Sequence, residues 1–285
     1  MLVAIIGAAG KMGAWFCRYF AARQGNEVSA FDVKPFQINN DVRSAASIAD
    51  CVKNADLVMI CVPVKRTPAV IKQCAQAMTR QNALLAEISS VKAKTLPALK
   101  KARQDIITLC VHPMFGPGAS EEKKQLKMLA IPVRNKAKEL DAINSIFAGM
   151  SVKVLPDART HDRAIAAVLG LTYFTNVAFA SILAREDLAN LNEVGGTTFA
   201  VQAMLAQSVM TDEPELIAAL IRDNPHAAGY MRQYMKEASA LASVRGSLLG
   251  AKLKKTKKKL QKKADLEASY RRMYGIIGLL DKPAE

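Results

Sequence analysis

Short, largely apolar runs alternate with segments of helical period through the first half of the chain. LVAII (residues 2–6) is apolar at every position and bounded by glycine, the pattern of a strand buried on both faces. GAAGKMGAWFCRYFAARQG then changes to helical period, with Met12, Phe16, Phe20 and Ala21 on one stripe and Gly25 as a stop. Further strands are expected in EVSAF (27–31), ADLVMICVPV (55–64), NALLAEIS (82–89) and DIITLCV (105–111), with helices in SAASIADCVKN and TPAVIKQCAQAM between them. Such a βαβ series predicts an α/β fold with a Rossmann-like, doubly wound and mostly parallel sheet. KMLAIPV and SVKVLPD are expected to add edge strands, because a proline closes or interrupts each.

After Pro156 the strand signal stops. ARTHDRAIAAVLGLTYFTNVAFASILARE reads as one long apolar helix, and the rest as helices with turns at VGG, TDEP and DNP. The expected organisation is therefore a dinucleotide-binding domain over 1–156 and an all-helical dimerisation and substrate domain over 157–285. AIAAVLGLTYFTNVAFASIL is apolar nearly all round, so it needs burial on several sides and points to a homodimer.

The net charge of +15 changes this picture little, since eight lysines fall within residues 252–263 and about half of the charge is local. Leu249, Leu253, Thr256, Leu260 and Ala264 recur at helical spacing through that run, so the lysines read as the wet face of an amphipathic helix. With no aromatic interleaving or nucleic-acid motif, a nucleic-acid partner is not expected. No cationic leader opens the sequence, and no apolar run is expected to reach the roughly 20 residues of a membrane span, so the protein is expected to be soluble and cytoplasmic. The five cysteines, Cys17, Cys51, Cys61, Cys74 and Cys110, are scattered without metal spacing. They read as reduced core thiols, and no metal is expected.

The candidate chemistry begins at GAAGKMG. Gly7, Gly10 and Gly13 sit at the first strand-to-helix turn, where glycines let backbone N–H groups approach a pyrophosphate held at the positive end of the helix. Lys11 and Met12 lie in the same turn. Asp32 ends the second strand, where a carboxylate bonds a ribose diol and repels a 2′-phosphate. NAD is therefore the expected cofactor, with NADP kept open by Lys34 two residues on. Val62 and Pro63 close the third strand, Ser89 and Ser90 with Lys92 the fourth, and His112 the fifth, where Pro113 is expected to break further pairing. These endings converge on the carboxyl edge of one sheet, the edge at which open α/β sheets bind ligands.

Together GAAGKMG, VPV, SSVK, HPMFGP and HD (His161, Asp162) resemble, in order and spacing, the prephenate dehydrogenase family, from residue 1 to about 175 and more loosely beyond. The resemblance implies NAD-dependent oxidation of prephenate with loss of carbon dioxide to 4-hydroxyphenylpyruvate, in tyrosine biosynthesis, by a homodimer. It implies that His112 takes the proton of the substrate hydroxyl, that Ser90 orients it, and that MFGPG, with Phe115 and Gly116, folds over the substrate. Ser90 also suits the N-cap of the helix expected in VKAKTLPALKK. Arogenate, or another small carboxylate, is the alternative substrate.

Two departures from the family pattern bear on the substrate. LANLNEVGGTTFA (188–200), where a substrate-binding arginine is expected, has no Arg or Lys, and Tyr173 stands where the family often has histidine. Arg163 is the first candidate to replace the missing cation, ahead of Arg222, Arg232 and Arg245. His161 and Asp162 are read mainly as structural, opening the long helix with Asp162 at its positive end, and His226 as a solvated helix-start residue.

Overall fold

The structure, a computed structural model, describes residues 1–122 and 125–280, apart from the side chains of Leu279 and Leu280. It forms two compact units: Met1–Ile165 with Asp223–Pro225, and Ala166–Arg222 with the described residues from His226 onward.

The first unit is built on an eight-stranded sheet of β1 (Leu2–Ile6), β2 (Glu27–Phe31), β3 (Val42–Ser44), β4 (Leu57–Ile60), β5 (Leu84–Glu87), β6 (Ile107–Pro113), β7 (Lys127–Ile131) and β8 (Ser151–Val154). Their order is β3-β2-β1-β4-β5-β6-β7-β8, parallel throughout except for the antiparallel β6–β7 pair. Continuous apolar strands follow from burial on both faces. Along β1, Val3 and Ile5 enter one core while Ala4 and Ile6 enter the other. The first core holds α1 (Lys11–Ala21), whose Trp15, Phe16, Tyr19 and Phe20 are each at most 1% exposed, with Phe16, Tyr19 and Phe20 packed against Phe147. The second core is covered by α2 (Ile48–Val52), α3 (Thr67–Ala77) and α4 (Thr95–Lys100), through residues such as Val52, Ile71, Cys74 and Leu99. Four of the five cysteines are buried, and Cys61 is partly so.

The strand pattern differs from expectation at the sheet's ends. VRS forms β3, an edge strand too short and too polar to register as periodicity. KMLAI is an inner strand rather than an edge, since it pairs with both β6 and β8. The antiparallel pairing with β7 also carries β6 through His112↔Leu129 to Pro113↔Met128, so Pro113 does not end the ladder. On the parallel side β6 stops at Cys110, opposite Glu87. His112 therefore lies two residues past the parallel register, at the carboxyl edge of the sheet.

The remaining helices are α5 (Lys136–Ile146) and α6 (Ala158–Ile165) in the first unit. In the second unit, α6 continues through a π-helical stretch, Ala166–Leu171, into α7 (Thr172–Leu183). It is followed by α8 (Leu188–Val194), α9 (Thr197–Val209), α10 (Pro214–Ala218), α11 (Ala227–Ser243), α12 (Ser247–Gln261) and α13 (Leu266–Leu280). Here α7 packs on α9, with Gln202 Nε2 donating to Asn176 Oδ1 at 2.9 Å, and Phe174 meets Tyr234 of α11 edge to face. One expectation needs correcting. The Ala158–Leu183 helix is 26 residues long, with a window of mean hydropathy 1.7, enough by length and composition to cross a membrane. Much of its apolar surface is open within the chain, including Val168 and Ile182. The expected apolar stripe of α12 is also uncovered, with Leu253 and Leu260 about half exposed.

Candidate active site

The glycine loop is closed as tightly as its sequence requires. Gly7 adopts φ +97°, and a Cβ on it would lie 2.6 Å from the Cys61 carbonyl oxygen. A Cβ on Gly13 would lie 2.0 Å from the Gly7 carbonyl oxygen, so neither position accepts a side chain. Gly10, the N-cap of α1, offers no side-chain acceptor, and the first turn that begins with Lys11 and Met12 carries no acidic residue. The helix N-terminus is thus open to an anion. Asp32 follows β2 and reaches back to this loop, its carboxylate accepting from Ala9 N at 3.0 Å and from Lys34 N at 2.9 Å. Backbone cradle, open helix end and adjacent carboxylate together fit a dinucleotide.

The turns after β4 and β5 join this edge. Val62 lies 3.1 Å from the position a Gly7 Cβ would take. Thr67 Oγ1 donates to the carbonyls of Val62 and Pro63 and is 3.0 Å from Ser89 Oγ, which links the two turns. The Ser89 amide in turn donates to Glu87 Oε2 at 2.9 Å.

Beneath His112 lies a polar network whose members are dispersed along the sequence. Lys92 and Glu87 are both wholly buried and paired at 2.7 Å, and the same ammonium donates to the Val111 carbonyl at 2.6 Å. Thr95 Oγ1 and Cys110 Sγ, each 3.2 Å away, also donate to Glu87 Oε1. His112 itself is only 3% exposed, and its Nδ1 is 3.0 Å from His161 Nε2. His161 Nδ1 is 2.8 Å from Asp162 Oδ1. Asp162 accepts the backbone N–H of Lys92 at 2.8 Å and of Ala93 at 2.9 Å, and Asn224 Nδ2 donates to its carbonyl. Burial, with the positive Lys92 and the His161 ring nearby, pushes the His112 pKa well below the usual imidazole value. Burial also lowers that of His161, against an opposing pull from Asp162.

Several expectations are revised by this geometry. Asp157, not Asp162, caps α6, through Thr160 N at 2.6 Å, so His161 and Asp162 sit a turn inside the helix with their side chains committed to the network. The helix expected after Ser90 starts only at Thr95, so Ser90 is not its cap, and Asp162 receives the two amides that precede the helix. Ser90 is half-buried and makes no side-chain hydrogen bond among the described residues. Phe115 packs against Trp15, with ring centroids 4.9 Å apart, while Trp15 Nε1 donates to Ala119 O at 2.7 Å. The loop bearing Phe115 and the exposed Gly116 is thereby tied to α1. Arg163 is exposed, whereas His161, Asp162 and Ile165 of the same helix are buried. Arg222, Arg232 and Arg245 of the second unit are exposed as well, and His226 caps α11 while partly buried. Tyr173 donates to Asp212 Oδ2 at 2.6 Å, and burial together with that carboxylate holds its phenol well above the ordinary pKa. Among the described residues no group of three or more His, Cys, Asp or Glu could hold a metal.

The chain is similar to known proteins in sequence and in fold. Residues 23–155 match the family described as "Prephenate dehydrogenase, nucleotide-binding domain", a span that begins after the glycine loop. A probable arogenate/prephenate dehydrogenase of Methanocaldococcus jannaschii is 25% identical over 237 residues, covering 79% of this chain and 52% of that protein. The T-protein of Haemophilus influenzae is 25% identical over 227 residues, covering 78% and 56%. The chain thus spans about half the length of these curated relatives. The crystal structure of prephenate dehydrogenase from A. aeolicus, in complex with hydroxyphenyl propionate and NAD+, aligns with a TM-score of 0.72 at 18% identity over 92% of this chain and 98% of that one, which shows a shared fold. The chain is thus similar in sequence over residues 23–155, and in fold over most of its length, to prephenate dehydrogenases.

Proposed function

We propose that this chain is an NAD-dependent dehydrogenase that oxidises and decarboxylates prephenate, or alternatively arogenate. The observation that carries this reading is the placement of a buried, proton-poor imidazole, His112, on the same sheet edge as the glycine cradle. Gly7, Gly10, Lys11, Met12 and Gly13 would hold the pyrophosphate, Asp32 the adenosine ribose, and Val62, Pro63 and Ser89 would flank the nicotinamide. Bound there, NAD supplies a hydride acceptor for the ring carbon that bears the substrate hydroxyl.

His112 supplies the base. As that carbon loses hydride its hydroxyl becomes a carbonyl, and a neutral imidazole beside it accepts the proton while the ring carboxylate departs. Ser90 lies in the turn after β5 with its hydroxyl uncommitted, which suits it to the substrate or to the nicotinamide. The substrate carboxylate needs a charge-assisted partner, a role for which Arg163 is the first candidate. Phe115 and Gly116 would border the substrate from the loop tied to Trp15.

The uncovered apolar helices of the second unit support a homodimer, since Val168, Ile182, Val194, Leu205 and Met210 all stand more than 40% exposed in the single chain. Spectrophotometric assay of NAD and NADP reduction with prephenate and arogenate tests the activity. Reduction of NAD with either substrate supports the reading, and none with both removes it. Light scattering that gives a monomer at micromolar concentration would remove the dimer.

A further inference from the structure

The hydrogen-bond order in the buried network fixes where the protons lie. Both Asp162 oxygens already accept backbone N–H groups, Oδ1 from Lys92 and Oδ2 from Ala93, so toward His161 the carboxylate can only accept. The 2.8 Å contact therefore places a proton on His161 Nδ1. A neutral His161 has one ring proton, which leaves Nε2 as a lone pair facing His112 Nδ1 at 3.0 Å. Two facing lone pairs would repel, so His112 carries its proton on Nδ1. Its Nε2, which has no hydrogen-bond partner among the described residues, is then the free acceptor. The carboxylate sets one tautomer, and that tautomer sets the next.

We propose that His161 and Asp162 are positioning residues that lock His112 as its Nδ1–H tautomer and so present Nε2 as the proton acceptor. This rests on the dehydrogenase reading only for its catalytic consequence, because the tautomer is a property of the free protein. When Nε2 gains a proton from the substrate hydroxyl, the resulting cation lies near Lys92, but its Nδ1–H already points at His161 Nε2. Passing that proton across leaves His112 neutral and places the charge on His161, directly against the Asp162 carboxylate. One N–H bond breaks and one forms, and no other reactant is needed.

The arrangement has a built-in contrast. In His161→Gln the side-chain amide oxygen can take the place of Nε2 as acceptor, whereas His161→Phe keeps a ring but offers no acceptor. The test is long-range ¹H–¹⁵N correlation NMR of the ring nitrogens at neutral pH, in the unaltered protein and both variants, with kcat and KM measured alongside. The expected result is Nδ1–H, with an unprotonated Nε2, for His112 in the unaltered protein and in His161→Gln, and appearance of the Nε2–H form in His161→Phe. In the same variant kcat should fall by about 10²-fold with KM for NAD little changed, and His161→Gln should recover part of the loss. A His112 that carries its proton on Nε2 in the unaltered protein would overturn the proposal, as would a His161→Phe protein that keeps the Nδ1–H form. Absence of turnover in the unaltered protein strikes at the dehydrogenase reading instead, and the tautomer measurement still decides this one.

Discussion

Lys92 Nζ lies 2.7 Å from Glu87 Oε1, and neither side chain has any exposure to solvent. A buried pair of this kind contributes little net stability over an apolar replacement, but removing one partner alone strands a charge. Lys92→Met should therefore destabilise the protein by about 3–5 kcal/mol. Adding Glu87→Gln should recover part of that loss, since the neutral amide no longer needs a counter-charge. Urea denaturation of the two single variants and the double variant gives the coupling directly. If the double variant loses the sum of the two single losses, the pair does not act as a unit.

The glycine loop yields a sharper contrast. At Gly13 an added methyl would meet the Gly7 carbonyl at 2.0 Å, whereas at Gly118 a Cβ has nothing within 4 Å. Gly13→Ala should open the loop, raise KM for NAD by at least tenfold, and cost about 1–3 kcal/mol of stability by overpacking. Gly118→Ala should leave both unchanged. Equal NAD binding by the two variants would show that the close approach at Gly13 is not what shapes the cofactor site.

Much of this architecture was legible in the chain because its signals are local. Two of the eight strands, β1 and β4, are continuous apolar runs and most of the others are predominantly apolar, and Gly7 with Asp32 mark a turn and a strand end whose spacing is set by one βα unit. What escaped was set by distant pairing. Whether KMLAI is an edge or an inner strand depends on what lies beside it, and the three-residue β3 has no periodicity to read. His161 and Asp162 looked like first-turn residues of a helix because their partners, His112 and the amides of Lys92 and Ala93, lie 49 to 70 positions away. The nearest signal was compositional: a Glu that ends an otherwise apolar strand, with a Lys five residues further on.

The two buried histidines make stability depend on pH in a defined direction. Both His112 and His161 have imidazole pKa values below the ordinary one, His112 well below. In the unfolded chain each takes up a proton near pH 6.5, while the folded chain resists it. Between about 6.5 and the lower folded values the unfolded state binds more protons, so stability falls as pH falls, by up to about 1.4 kcal/mol per pH unit for each histidine. Charged neighbours of this pair are Lys92, Glu87 and Asp162. Denaturation midpoints at pH 7.5 and 5.5 should differ in that sense, and His112→Gln should reduce the difference. For activity, the acid limb of kcat/KM should lie below pH 6.5. A limb above 6.5 would mean that the base is not this depressed imidazole.

The cation that meets the substrate carboxylate is the question on which the choice of substrate turns. A carboxylate taken out of water needs a charged, hydrogen-bonding partner, and an arginine offers two parallel N–H groups in the right geometry. Residues 188–200, now seen as α8 and the start of α9, contain no cation to serve it. Tyr173 is also committed elsewhere, since its hydroxyl donates to Asp212. Arg163, Arg222, Arg232 and Arg245 are all exposed, and no hydrogen bond or ion pair ties any of their side chains down among the described residues, so each is at liberty to turn toward a ligand. Arg163 has the strongest case, because it follows directly on the His161–Asp162 pair that anchors His112. Arg163→Ala should raise KM for prephenate by about tenfold or more, the loss of one charged hydrogen bond worth about 1.5–3 kcal/mol, while leaving KM for NAD in place. The same replacement at the other three positions should have little effect. If none of the four shifts KM for prephenate, and arogenate is turned over with the higher kcat/KM, the carboxylate of prephenate is not what this site was built to hold.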